Sequence, residues 1–166
     1  MATIQEVAEK FDVTPTLVPV IRNGGFLAAT DKKVNDSLHA RCLVLDDRQT
    51  RLAIVVVDSC MLPIDLCDEA KRLASEKTGI PLNCILISAT HSHSAPSVMN
   101  YCLGTRADPR YRNFLPRKIA DSIISANTRL QPAKAAWGRV DAGKFTACRR
   151  WSFIRGKELT DPFGDK

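Results

Sequence analysis

The sequence has no run of 18 or more apolar residues, which excludes an apolar helix long enough to cross a bilayer. Its first twenty residues, MATIQEVAEKFDVTPTLVPV, interleave acids and bases and lack the apolar stretch of a secretory signal. No CxxC pair occurs among the cysteines, and no zinc-finger spacing, RNP signature or basic-aromatic repeat is present, so a dedicated nucleic-acid module is not expected. Internal repeats and low-complexity tracts are also missing, which sets solenoids aside. Histidine is scarce, with three in the chain.

What remains is a globular composition. The 166 residues are 45% hydrophobic and 25% charged, enough to bury a core in about one domain. The six cysteines (Cys42, Cys60, Cys67, Cys84, Cys102 and Cys148) read as free thiols rather than a disulfide framework, because a chain of this length needs no staples. That usage points to a reducing compartment such as the cytoplasm. Charge is uneven. Residues 1–105 hold 10 Lys/Arg against 12 Asp/Glu, whereas residues 106–166 hold 14 against 6. A basic C-terminal third fits a solvated face, a surface packed on acidic chain, or peripheral contact with an anionic membrane surface.

Turn formers punctuate the N-terminal segment through Asn35: Asp12-Val13-Thr14-Pro15, Pro19 and Asn23-Gly24-Gly25. This stretch reads as long and mostly irregular. Leu38 to Leu45 and Arg51 to Val57 read as two strands of a hairpin closed by Asp46-Asp47-Arg48-Gln49. Pro63 suits a helix start, Ile64, Cys67, Ala70 and Ala74 keep helical spacing, and Gly79 supplies the stop. Residues 84–90, CILISAT, read as a strand apolar on both faces, like LAIVVV before it. Strand, helix and strand with short joints predict a right-handed βαβ unit with parallel strands. A second helix is expected from about Pro109 to Asn127, with Pro116 marking its true start or a kink, and a strand from Lys134 to Val140. The expected class is α/β: a mixed sheet with a βαβ unit and flanking helices, part of a larger catalytic domain.

Parallel strands gather their C-terminal ends on one edge, where ligands bind. Asp58 directly follows one such strand, and His91-Ser92-His93-Ser94 directly follows the other. The topology therefore brings a carboxylate near two imidazoles. His-x-His in extended chain turns both rings to one side, and neutral imidazole nitrogens suit zinc. The same histidines could instead cap the strand through backbone bonds. Asp58 could orient a histidine or cap a turn, and Gly24-Gly25 could serve a positive φ or a close approach to ligand. His39 reads as an ordinary strand residue. A catalytic zinc takes three protein ligands and an open position, and the sequence alone supplies no convincing third.

The run Ser88-Ala89-Thr90-His91-Ser92-His93-Ser94-Ala95-Pro96 resembles the SATHTHSGP signature of the neutral/alkaline non-lysosomal ceramidase family. Three other segments look like that family in the same order: Ser37 to Leu45, Val55-Val56-Val57-Asp58, and Asn23-Gly24-Gly25-Phe26. Cys148-Arg149-Arg150-Trp151 falls near its Asn-Arg-Ser segment, with Arg149 on the Arg. The likeness runs over about residues 12–157 and extends to ceramidase-like bacterial proteins. Departures are Ala95-Pro96-Ser97-Val98-Met99 where the family continues with glycines, and Cys148 and Arg150 in place of its Asn and Ser.

The resemblance implies a zinc-dependent amidase of sphingolipid metabolism that splits N-acylsphingosine, or a related lipid amide, into amine and fatty acid. Carried over by position, His91 is a zinc ligand, and His93 is a catalytic pocket residue bonding substrate or the metal's water. Asp58 joins His93 as a catalytic candidate, and Gly25 and Arg149 contact the substrate. The family's remaining zinc ligands (a histidine, a glutamate and a tyrosine) lie further along a longer chain. Residues 1–166 therefore read as the N-terminal portion of a truncated catalytic domain, inactive alone, whose partner is the rest of its polypeptide. The competing readings are a non-catalytic α/β binding module with structural histidines, and an amidohydrolase barrel, for which strand–helix alternation is too sparse.

Overall fold

A computed structural model describes residues 4–101, 106–134 and 136–146. The chain divides into two compact units, Met1–Lys134 and Ala135–Lys166. Most of the fold lies in the first, which is a mixed α/β layer structure, as the sequence predicts. Its elements are β1 (Ile4–Asp12), β2 (Val20–Arg22), β3 (Ala29–Asp31), β4 (His39–Asp46), β5 (Arg51–Val57), α1 (Ile64–Thr78), β6 (Ile85–Ala89), α2 (Pro109–Thr128) and β7 (Gln131–Ala133). In the second unit a single 3-10 turn, Gly143–Phe145, is described.

Five strands form one sheet in the order β6-β5-β4-β1-β7, and β2 and β3 form a separate ribbon. β4 and β5 are the expected antiparallel hairpin, with Ala40 opposite Val57 and Asp46 opposite Arg51. Its turn is held by side-chain caps: Asp46 accepts from the Arg48 amide, and Asp47 accepts from the amides of Gln49 and Thr50. β5 and β6 pair in parallel with Val57 opposite Ala89, so the βαβ unit is present.

The helices end where the local chemistry requires. Pro63 occupies the N-cap of α1, and Gly79 closes it at φ 74° with its N–H on the Ser75 carbonyl. Leu66, Ala70 and Ala74 are the buried face of α1, while Ile64 is 80% exposed, so the inward stripe starts from Leu66 and not from Ile64. In α2, Asp108 caps the first turn by accepting from the amides of Arg110 and Tyr111, and Pro109 follows it. Pro116 lies inside the helix and does not mark its start.

Both helices pack with one face of the sheet. Ala40, Cys42 and Val44 of β4 and Ala53, Val55 and Val57 of β5 join Leu66, Ala70, Ala74, Leu115, Ile119 and Ile123 in one core. Burying each such aliphatic side chain contributes about 1.5–3 kcal/mol. The opposite face is partly open: β6 is an edge strand with Leu86 58% exposed, not a strand covered on both sides.

Two expectations need correction. The N-terminal segment is not mostly irregular, since β1 is nine residues long and pairs with both β4 and β7. Its inward positions Val7 and Phe11 alternate with Glu9, a charge that hides the pattern. Glu9 is accommodated by an ion pair with Arg129 and by the Ser125 hydroxyl of α2. The last strand is Gln131–Ala133, not Lys134–Val140. Pro132 suits this edge position, and Trp137 and Val140 are 96% and 86% exposed.

Candidate functional site

The C-terminal ends of β5 and β6 are stitched together by backbone bonds. The Thr90 amide donates to the Val57 carbonyl (2.9 Å) and the Ser92 amide to the Ser59 carbonyl (3.1 Å). This fixes the segment after β6 directly over the segment after β5. His91 sits between these two bonds with φ 62°, a left-handed conformation that costs a residue with a Cβ about 1–2 kcal/mol. Its ring Nδ1 lies 2.8 Å from the Cys60 carbonyl oxygen. The carbonyl can only accept, so Nδ1 carries the proton and Nε2 carries the lone pair. Nε2 makes no hydrogen bond among the described residues, and the side chain is exposed.

His93 lies beside it. The two ring centroids are 4.8 Å apart and nearly perpendicular, at 81°. His93 is exposed, and the loop after β2 presses on it from the other side. A Cβ placed on Gly24 would fall 2.5 Å from His93 Cγ and 2.7 Å from its Cα, and Gly24 itself has φ 95°. Glycine is required here on both counts. The loop is anchored by the Asn23 amide on the Ala95 carbonyl (3.0 Å) and the Ser97 amide on the Ile21 carbonyl (2.7 Å). Gly25, the expected substrate contact, is the next residue of this loop. Close approach belongs to Gly24.

Asp58 is oriented away from this chemistry. One carboxylate oxygen accepts from Arg41 Nη1 (2.8 Å) and the other from the His39 amide (3.0 Å), with His39 Nδ1 at 3.8 Å. Burial would raise its pKa, but the Arg41 and His39 bonds outweigh that and hold it below the ordinary carboxylate range. Among the described residues it bonds neither His91 nor His93. The group that orients His91 is the Cys60 carbonyl. Asp58 does line a cleft of about 650 Å³, together with Ser92, Ser94, Arg22 and Asp31, on the side of the segment away from the imidazoles. Arg149 lies outside the described residues.

Sequence reasoning missed two residues. His39 stands at the strand-end edge, because antiparallel pairing sets the start of β4 beside the end of β5; the hairpin register was the available signal. Cys60 stands within reach of both imidazoles: one donor atom from each of Cys60, His91 and His93 lies within 4.8 Å of the other two. Its thiol is buried, 1% exposed, and burial pushes its pKa up, so it is not poised as a free nucleophile. Two imidazole nitrogens and a sulfur are donors that zinc accepts, and the free Nε2 of His91 meets the requirement for a neutral ligand, so the residues present fit a metal.

Fold and site together define a mixed α/β domain whose polar residues converge beyond the ends of two parallel strands. The same fold occurs in neutral ceramidase from Pseudomonas aeruginosa, with TM-score 0.68 and 23% identity over 80% of this chain. A ceramidase complexed with C2 matches over the same share of the chain with TM-score 0.67 and 23% identity. The chain spans 22% of the length of each of those structures. No protein-family model and no curated protein matches the sequence.

Proposed function

We propose that the cluster beyond β5 and β6 is part of the catalytic centre of a ceramidase-like hydrolase, a zinc-dependent amidase acting on N-acylsphingosine or a related lipid amide. The observation that carries this reading is the state of His91. Its Nδ1 is satisfied by a backbone carbonyl and its Nε2 is left open at the strand end of a fold shared with neutral ceramidase. An imidazole held through one nitrogen with the other free is the usual arrangement of a metal-ligating histidine. Neither His91 nor His93 is packed in the core, which speaks against a module whose histidines are structural.

His91 would hold the metal, with further ligands supplied by a longer polypeptide. A zinc ion, when bound, lowers the pKa of water to about 7 and polarises an amide carbonyl. The chain's own contribution is positional and protonic. His93, exposed beside His91 and backed by Gly24, is placed to accept a proton and return it to the departing amine. Gly25 and Arg149 are assigned to the substrate's polar end. Asp58, fixed by Arg41 and His39, gives the neighbouring cleft a charged wall beside Ser92 and Ser94. The basic C-terminal third would favour approach to an anionic lipid surface.

The test is hydrolysis of a fluorescent ceramide by the product of the whole reading frame that contains this sequence, with and without zinc. The reading frame should also encode a further histidine, a glutamate and a tyrosine able to complete the metal site. His91→Ala should reduce turnover to background. A variant as active as its parent overturns the proposal.

A further inference from the structure

Cys60 is buried at the end of β5, yet it faces the two most exposed imidazoles of the site. Its sulfur lies 3.8 Å from the His91 ring at Nδ1, and its own carbonyl holds that ring. A tetrahedral zinc with Zn–S near 2.3 Å and Zn–N near 2.0 Å has N···S edges of roughly 3.5 Å. The donor atoms of Cys60, His91 and His93, all within 4.8 Å of one another, therefore need to close by about an ångström to share one ion of this kind. The backbone that would bear the closure is already fixed, by the Thr90–Val57 and Ser92–Ser59 bonds and by Gly24 against His93. Among the described residues, the other free thiols, Cys42, Cys67 and Cys84, take part in no such group.

We infer that Cys60 is a third protein donor to the metal held by His91 and His93, so that this chain by itself carries a two-nitrogen, one-sulfur site. The inference deepens the proposed centre and rests on His91 being a ligand, but not on the lipid amide. It departs from the expectation drawn from the resemblance, in which this stretch supplies a single ligand. A sulfur donor selects borderline and soft ions, zinc above magnesium or calcium. On binding, the Cys60 thiol proton passes to solvent and the Sγ–metal bond replaces the S–H bond; nothing is oxidised or reduced. The fourth position stays open, as in a catalytic site.

Cobalt(II) titrated into the 166-residue chain, then displaced by zinc, reads the donor set without any turnover. The wild-type chain should give visible bands of tetrahedral cobalt and a near-ultraviolet sulfur-to-cobalt charge-transfer band. Changing a ligand's supporting residue alone costs 10–100-fold in affinity, so Cys60→Ser should weaken cobalt by more than about tenfold and abolish the charge-transfer band. His93→Ala should weaken binding and keep the band. X-ray absorption of the zinc-loaded wild type guards against a variant that fails to fold, and should show one sulfur in the first shell. A first shell of nitrogen and oxygen only, or a charge-transfer band that survives in Cys60→Ser, overturns the inference. If Cys60→Ser binds like wild type while His91→Ala does not bind, Cys60 is excluded and the ceramidase-type centre stands. If His91→Ala binds like wild type, both fail.

Discussion

His91 combines a side chain suited to a ligand with a backbone that suits glycine better. At φ 62° any residue bearing a Cβ meets its own carbonyl, and only the bond from Nδ1 to the Cys60 carbonyl offsets part of that cost. Stability and binding should therefore separate at this position. His91→Ala loses the ring bond and keeps the strained backbone, whereas His91→Gly loses the bond and relieves the strain. The glycine variant should be more stable than the alanine variant by about 1 kcal/mol in urea unfolding, with neither binding cobalt. Equal stability of the two variants would show that the backbone is not strained. Gly24 is the converse case. Its positive φ and the 2.5 Å contact with His93 both exclude a Cβ, so Gly24→Ala should destabilise by about 2 kcal/mol and displace His93, weakening cobalt binding. Binding unchanged in Gly24→Ala would remove His93 from the site. How legible these residues were follows from how local their signals are. The His-x-His run is contiguous and its neighbourhood follows from strand order. Cys60 is 31 residues from His91, and the direction of Asp58 depends on a hairpin partner, so neither contact has a spacing to read.

Asp108 shows how one side chain joins elements that the sequence keeps apart. It caps α2 through the Arg110 and Tyr111 amides and also accepts from the Ile21 amide of β2, which leads into the glycine loop. It is 2% exposed; burial would raise its pKa, but these amides outweigh that and lower it. Loss of an ordinary cap costs about 1 kcal/mol. Asp108→Ala also leaves the Ile21 amide without its acceptor, so the loss should be about 2 kcal/mol, with faster hydrogen exchange at Ile21. A loss no greater than a simple cap would mean that the Ile21 bond contributes nothing. The acid limb of stability should reflect the same kind of residue. Asp58 and Asp108 have pKa values below 3.8 when folded, so the stability they give is present above about pH 4 and falls as pH drops through their folded values. Asp58→Asn should flatten that limb in a pH series of urea midpoints; an unaltered limb would show that its pair with half-exposed Arg41 is fully screened. Among elements, the β4–β5 hairpin, α1 and the parallel β5–β6 pair were legible because periodicity and punctuation agree there. β1 was not, since Glu9 occupies an inward position for the sake of Arg129, a partner 120 residues away.

The whole sheet presents two different faces, and their contrast can be tested. Cross-strand rows run through Ala8, Leu43, Ile54 and Leu86, and through Leu45 and Leu52, on the face away from the helices. Toward the site end the corresponding row is Lys10, Arg41, Val56 and Ser88. The face thus grades from apolar to polar along the strands. None of its leucines or isoleucines belongs to the helix-side core, and the described helices lie on the other side. An antiparallel face meant for water normally alternates to polar residues, so a contiguous apolar row marks a surface suited to contact. The 166-residue chain should accordingly bind an apolar fluorescent dye. Ile54→Lys should reduce that signal with little change in urea midpoint, because a lysine can lay its stem along the row and keep its charge in water. Val55, one residue on and turned toward α2, supplies the contrast: it is 0% exposed, and Val55→Ala should cost about 2 kcal/mol and leave the dye signal of the folded chain in place. Dye binding that ignores Ile54→Lys would mean that the row is covered in the folded chain.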